Sequence, residues 1–235
     1  MPQVHESEAL LLRRVELAEA DLIVTLFTRT LGRVSALARG ARRSRKRFGG
    51  ALEPFFTLHV RMEERPRSEL FVLSEASVVR PRLGLLSHLS RLEVAGRALS
   101  WVRRAAPPRT PEPEAWALLE RLLDRLTSTE GELSAERELC ELGLPLLAAF
   151  GWGIDLERCV SCGKPCPDGA PASVDAARGG LVCRECGGGR MRLSGALRER
   201  LARAARGEAQ ALDAQDVSVA LDLIDRVFAA HAGLE

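Results

Sequence analysis

Two closely spaced pairs of cysteines are the feature that most constrains the fold of this chain. Each pair has the form C-x2-C, and residues 163 to 182 separate the two pairs. The four cysteines are Cys159, Cys162, Cys183 and Cys186. Two residues between cysteines let a tight turn present both sulfurs to one ion, a spacing typical of a four-thiolate zinc site. Gly163 and Gly187 directly follow the two pairs and provide the backbone freedom that such turns need.

A structural zinc ion explains these pairs better than the alternatives. Cysteines buried only for packing would not be expected as two matched pairs in a segment with few other apolar residues. A redox C-x2-C opens a helix after a strand, and a catalytic zinc keeps an open position, often with His or carboxylate ligands. Neither context occurs here. We predict one structural zinc per chain, whose binding free energy, on the order of 10 kcal/mol in small zinc modules, replaces a missing core.

The other two cysteines are predicted to have different roles. Pro165 and Pro167 flank Cys166, which lacks a partner at matching spacing, so we expect a bystander, although it could substitute for a neighbouring ligand. Cys140 falls in a predicted helix and is expected in its core.

Composition and the chain start indicate a soluble protein. The 235 residues are 46% hydrophobic and 28% charged, enough for one large or two modest globular domains. The first residues carry acids where a secretory signal carries bases, and the longest apolar run is too short for a membrane span. We therefore expect a cytoplasmic protein without a membrane partner, in which cysteines favour metal or packing over disulfides.

The pattern along the chain predicts an α+β fold with two domains. Five short segments between residues 9 and 79 alternate apolar and polar residues, which favours a closed five-stranded β-barrel over residues 1–80. After Pro81 the apolar period becomes helical, so residues 81–235 form a predicted α-helical domain, with Ser194 and Asp213 or Asp216 as helix caps. The zinc-binding element, at about residues 155–190, is predicted to lack helix and regular strand.

A dense run of positive charge follows the third predicted strand. It places six cations in nine residues without an acid among them: Arg39, Arg42, Arg43, Arg45, Lys46 and Arg47. Residues 1–83 carry 15 Lys and Arg against 10 Asp and Glu, whereas the whole chain has a net charge of only +2. Such a run is usually a solvated loop. On a small barrel, however, uncompensated arginines are also suited to neutralising nucleic-acid phosphates and stacking on bases.

The N-terminal string EADLIVTLFTRTLGRVSALARGARRSRKRFGGALEPF, followed by helices, C-x2-C and GGLVC-x2-C, resembles the RecO family of bacterial recombination mediators. The resemblance implies an N-terminal OB-fold and a helical domain with a zinc-binding element. It implies binding of single- and double-stranded DNA, strand annealing, and help to RecR in loading RecA onto DNA coated with single-strand-binding protein. It also places the DNA-binding loop on the six cations of residues 39–47 and the zinc ligands on the four paired cysteines.

Two other classes of function remain open from the residues alone. A zinc-containing RNA-binding or ribosome-associated factor is the alternative, since OB barrels and zinc ribbons serve both nucleic acids. An enzyme is not expected, because the chain has no phosphate-binding GxxxxGK[ST] motif and no acidic cluster for a nuclease metal. His59 and His88 lie in strand and helix patterns and are interpreted as structural or surface residues.

Overall fold

The computed structural model describes residues 3–17, 19–66, 68–128, 132–208 and 212–232. Contacts divide the chain into two compact units, residues 1–128 and 129–235. The first unit therefore contains the predicted barrel together with the helices that follow it. A domain boundary at residue 80 stays a prediction.

The first unit begins with a closed five-stranded barrel, as predicted. Its strands are β1 (Val4–Glu16), β2 (Leu22–Thr28), β3 (Gly32–Ala38), β4 (Thr57–Glu63) and β5 (Phe71–Arg80). They follow each other around the barrel in the order β1-β2-β3-β5-β4, and β4 pairs back onto β1. Only β3 and β5 run parallel, with Ala36 opposite Phe71 and Leu37 opposite Val72. This is the five-stranded Greek-key barrel expected of an OB-fold.

Among its described residues, the first unit also contains three α-helices. A single turn, α1 (Arg45–Phe48), lies between β3 and β4; α2 (Leu89–Ala105) and α3 (Pro113–Ser128) follow the barrel. The predicted helix after Pro81 begins later than expected, because Leu83–Ser87 forms a separate 3-10 helix.

Phe27 lies beside the inward-facing Leu26, and its ring packs against Trp116 of α3 with centroids 5.8 Å apart. At Phe27, α3 therefore covers the outer face of β2.

A buried arginine joins the barrel to α3. Arg82 is 1% exposed, and its Nε and Nη2 donate to Asp124 and Glu120 at 2.8 and 3.0 Å. Its Nη1 donates to the Phe55 carbonyl oxygen at 2.9 Å and to Thr57 Oγ1 at 3.0 Å. The charge is thus paired, and each guanidinium nitrogen donates at least one hydrogen bond, as expected of a buried guanidinium.

The second unit contains three longer helices: α4 (Glu132–Ala149), α5 (Gly195–Ala205) and α6 (Ala214–His231). The predicted caps are confirmed. Ser194 accepts a hydrogen bond from the Leu197 N–H, and Asp213 forms a reciprocal capping box with Asp216. Cys140 is buried in α4, as expected, with its sulfur 3.5 Å from the Val217 carbonyl oxygen.

The prediction of irregular backbone around the cysteines is wrong. Four strands, β6 (Asp155–Cys159), β7 (Ala172–Asp175), β8 (Gly180–Leu181) and β9 (Met191–Leu193), form a small sheet in the order β6-β8-β7-β9. Strands of two to five residues are too short to display a period-two pattern, which is why the sequence did not reveal them.

The environment of Arg82 generates a stability prediction. Replacing Arg82 by Ala removes the buried guanidinium from two carboxylates and from the Phe55 carbonyl oxygen, so the free energy of unfolding should fall by about 3–5 kcal/mol. Arg80 contacts the same two carboxylates but is 52% exposed, so Arg80→Ala should cost no more than about 1 kcal/mol. Urea unfolding of both variants measures the difference. Equal losses would contradict a dominant role for the buried guanidinium.

Candidate functional site

The four predicted ligands lie together in the second unit. The sulfurs of Cys159, Cys162, Cys183 and Cys186 are all within 4.8 Å of one another, and the Cys162 and Cys183 sulfurs are 3.8 Å apart. Metal–sulfur bonds of about 2.3 Å in a tetrahedron place sulfurs roughly 3.8 Å apart. The cluster therefore has the donor set and the dimensions of a four-thiolate metal centre.

Two tight turns present these sulfurs. Strand β6 ends at Cys159, whose carbonyl oxygen accepts from the Gly163 N–H at 2.8 Å. Cys183 precedes a 3-10 turn, and its carbonyl oxygen accepts from the Gly188 N–H at 3.0 Å. Gly163 and Gly187 have φ angles of 73° and 98°. Both turns thus require the left-handed backbone for which glycine was predicted.

The two turns are also held to each other. Strands β6 and β8 pair in parallel with Cys159 opposite Leu181, and the Val160 N–H donates to the Leu181 carbonyl oxygen at 2.8 Å. On the surface, Lys164 from the first turn lies 3.2 Å from Glu185 in the second. The small sheet therefore brings the two cysteine pairs together, although residues 163–182 separate them along the chain.

Backbone N–H groups and neighbouring sulfurs shift the pKa values of two of these thiols in opposite directions. The backbone N–H of Cys183, 3.4 Å from the Cys159 sulfur, is the main cause that lowers the pKa of Cys159 to about 6. Hydrogen bonds with the Cys183 and Cys162 sulfurs raise the pKa of Cys186 to about 12. The raised pKa favours the protonated thiol of Cys186. A divalent cation at the centre would replace thiol protons and favour four thiolates.

Cys166 lies outside the cluster of four. Its sulfur is 4.0 Å from the Ala170 carbonyl oxygen.

A buried arginine, Arg198 of α5, anchors the same loop by donating to the carbonyl oxygens of Pro167 and Leu156 at 2.8 and 2.9 Å. Sequence reasoning missed Arg198, because nothing in a helical pattern distinguishes a buried arginine from a surface one.

The basic segment, defined here as residues 39–47 of the first unit, is not the simple loop that was predicted. Ser44 caps the short helix α1 by accepting from the Arg47 N–H at 3.3 Å, and Gly49 ends it with a φ of 46°. Phe48, the last residue of α1, directly follows the basic segment. It is only 2% exposed and packs in the barrel core. The barrel therefore fixes the backbone of this charged stretch.

The six cations have different environments. Arg42 Nη1 lies 3.0 Å from Glu16, and Arg43 Nη2 lies 2.9 Å from Glu19, so the expectation of uncompensated charge is wrong for these two. Arg47 Nη2 donates to the Arg39 carbonyl oxygen at 2.6 Å.

The remaining cations of the basic segment are Arg39, Arg45 and Lys46. In the part of the chain that the structure describes, no acidic partner is found for the exposed side chains of Arg39 and Lys46. The side chain of Arg45 lies outside the described residues. Sequence reasoning missed Glu16 and Glu19, which are distant along the chain and carry no motif.

Comparison with known proteins agrees with this architecture. The family model described as "Recombination protein O N terminal" matches residues 1–82, and "Recombination protein O C terminal" matches residues 86–235. The chain belongs to the RecO family. It is 42% identical over 178 residues to the DNA repair protein RecO of Anaeromyxobacter sp. (strain K), covering 76% of this chain and 68% of that protein.

Other relatives are similar at lower identity. The DNA repair protein RecO of Geobacter metallireducens is 36% identical over 181 residues, which cover 77% of this chain and 72% of that protein. That of Myxococcus xanthus is 36% identical over 186 residues, with 78% and 72% covered. Within the described residues of this RecO-family chain, no helix has the length and apolar content to cross a membrane.

Burial of Phe48 generates a prediction about the basic segment. Phe48→Ala should lower the free energy of unfolding by about 3–5 kcal/mol, because it removes a core side chain at the end of the barrel. Arg47→Ala, at the adjacent exposed position, should cost at most about 1 kcal/mol. Chemical denaturation of the two variants checks this contrast. If Phe48→Ala cost as little as Arg47→Ala, the segment would be a solvated loop after all.

Proposed function

We propose that this RecO-family protein is a DNA repair and recombination mediator that binds single- and double-stranded DNA and anneals complementary strands. The observation that carries the proposal is the basic segment, which an OB barrel orders through Phe48. Small barrels of this type bind nucleic acids through their loops and one sheet face. An ordered backbone presents its cations at lower entropic cost than a mobile loop.

The six cations of the basic segment would form the DNA site: Arg39, Arg42, Arg43, Arg45, Lys46 and Arg47. Guanidinium groups donate in a fork that matches phosphate oxygens, and the lysine adds a point charge. Contacts of this kind bind the backbone of single strands and duplexes without reading the sequence. Holding two strands with their charges screened is also what annealing requires, so no catalytic step is proposed.

The resemblance to RecO proteins extends the proposal to partners. The protein would act in the bacterial cytoplasm at the nucleoid, contact RecR and single-strand-binding protein, and assist RecA loading indirectly. These partners rest on family membership and not on a contact in this chain.

We also propose that the cluster of four cysteines holds one structural zinc ion. Four sulfurs within 4.8 Å of one another suit zinc as thiolates and would leave no open position for a substrate. The ion would join the two turns of the small sheet, whose strands have only two to five residues. Its role is to stabilise the second unit.

The metal proposal predicts different outcomes for two cysteines. Cys183→Ser should lower both the zinc content and the melting temperature, because it removes a ligand. Cys166→Ser, a matched change in the adjacent loop, should retain one zinc per chain. Metal analysis of protein purified under reducing conditions, with thermal melting, measures both effects. Absence of zinc from the unmodified protein, or equal loss in both variants, would overturn the four-ligand assignment.

The DNA proposal predicts a change in salt dependence. Replacing Arg42, Arg43 and Lys46 together by Ala should weaken binding to single-stranded DNA of any sequence. The slope of log affinity against log salt should flatten by up to roughly 2, since each phosphate contact contributes about 0.7. A triple Ala variant at Arg29, Arg61 and Arg65 provides the control, with the same loss of charge elsewhere on the barrel. A folded first variant with unchanged affinity and slope would place the DNA site elsewhere.

Function is tested most directly by strand annealing on DNA precoated with single-strand-binding protein. We expect this protein to accelerate annealing without ATP, and the Arg42, Arg43 and Lys46 variant to lose that effect. Binding to an RNA of matched sequence is the control for the class of nucleic acid. RNA binding without annealing of coated DNA would favour an RNA-associated factor instead.

A further inference from the structure

The carboxylates opposite the basic segment are supplied by the connection between β1 and β2. Glu16 ends β1, and Glu19 follows in the connection; they lie 26 and 24 residues before the arginines that they contact. We infer that Glu16 and Glu19 compete with DNA phosphates for Arg42 and Arg43, and thereby set the DNA affinity of the basic segment. This inference rests on the proposed DNA-binding function.

Hydrogen bonds to the Asp21 side chain and to the Ala20 backbone hold these two segments together independently of the ion pairs. The Gly40 N–H donates to Asp21 Oδ1 at 2.7 Å, and the Arg42 N–H donates to the Ala20 carbonyl oxygen at 3.1 Å. The ends of the strands are adjacent because Leu22 pairs with Ala38. The carboxylates consequently stay within reach of the arginines even when the side chains separate.

The competition follows from the chemistry of the arginine fork. Carboxylate and phosphate oxygens accept the same N–H groups, so a guanidinium N–H that donates to Glu16 is not available to a phosphate. Arg39 and Lys46 face no such competitor among the described residues. These two cations are therefore available for the first contact with DNA, whereas the N–H groups of Arg42 and Arg43 that donate to carboxylates must exchange partners.

Exposure makes this exchange feasible. The side chains of Glu16 and Glu19 are 68% and 89% exposed, and those of Arg42 and Arg43 are 45% and 70% exposed. Exposed pairs of this kind form with equilibrium constants of about 1.4 to 5. The apparent affinity for DNA equals the intrinsic affinity multiplied by the fraction of arginine side chains that are not paired with a carboxylate. Each ion pair should therefore weaken DNA binding by about two- to sixfold.

A double-mutant cycle separates direct competition from a general charge effect. Glu16→Gln should strengthen binding of a fluorescein-labelled oligothymidylate at low salt by about two- to sixfold. In the Arg42→Ala background, Glu16→Gln should leave the affinity nearly unchanged, with a ratio of the two affinities close to one. The corresponding cycle uses Glu19→Gln with Arg43→Ala. Glu8→Gln, which removes an exposed carboxylate paired with Arg29 at 3.1 Å, is the matched control and should leave affinity nearly unchanged.

The outcomes distinguish the two proposals. A gain that persists undiminished in the Arg42→Ala background would mean that Glu16 acts only through its long-range field, and would overturn the competition. Loss of affinity in Arg42→Ala without a gain in Glu16→Gln would also overturn it, while leaving the DNA site in place. If neither change alters affinity while thermal melting shows both variants folded, the DNA site lies elsewhere and both proposals fail.

Discussion

Closure of the barrel between β3 and β5 is the constraint on which the first unit depends. These strands are parallel and pair at only two positions, and parallel neighbours cannot be joined by a hairpin. Residues 39–56 instead connect β3 to β4, which β5 separates in the strand order. Phe48, Ala51 and Leu52 from this connection are buried in the barrel core. The charged residues lie on the same connection, so the element that completes the core also fixes the backbone of the basic segment.

In the second unit, the small sheet β6–β9 has little hydrophobic core of its own. This sheet buries a few apolar side chains, among them Val174, Leu181 and Leu193, on strands far shorter than those of the barrel. Arg198 satisfies carbonyl groups of the surrounding loop, which short strands leave unpaired. Thiol ligands from two distant turns can then be joined by one ion, which contributes a cross-link where hydrophobic burial is limited.

Local patterns allowed the barrel strands, the helix caps and the four cysteines to be predicted from the sequence. Alternation reports which face of a strand is buried, and C-x2-C spacing reports the geometry of a turn. The short strands β6 to β9 were missed because each is too short to display a period-two pattern. Arg82 and Arg198 were missed because burial of an arginine depends on partners supplied by other elements, which no local pattern encodes.

The same limit explains why the charge run seemed uncompensated. Glu16 and Arg42 are distant in sequence, and only the pairing of Leu22 with Ala38 brings their segments together. Counting charges along a chain therefore overestimates the positive potential of a loop whose partners come from an adjacent connection. Because both pairs are exposed, salt weakens them as it also weakens phosphate contacts. Salt would therefore weaken the proposed phosphate contacts directly, and would also release Arg42 and Arg43 from the competing carboxylates. These two effects on DNA affinity oppose each other, so DNA affinity should depend on salt less steeply than six free cations would require.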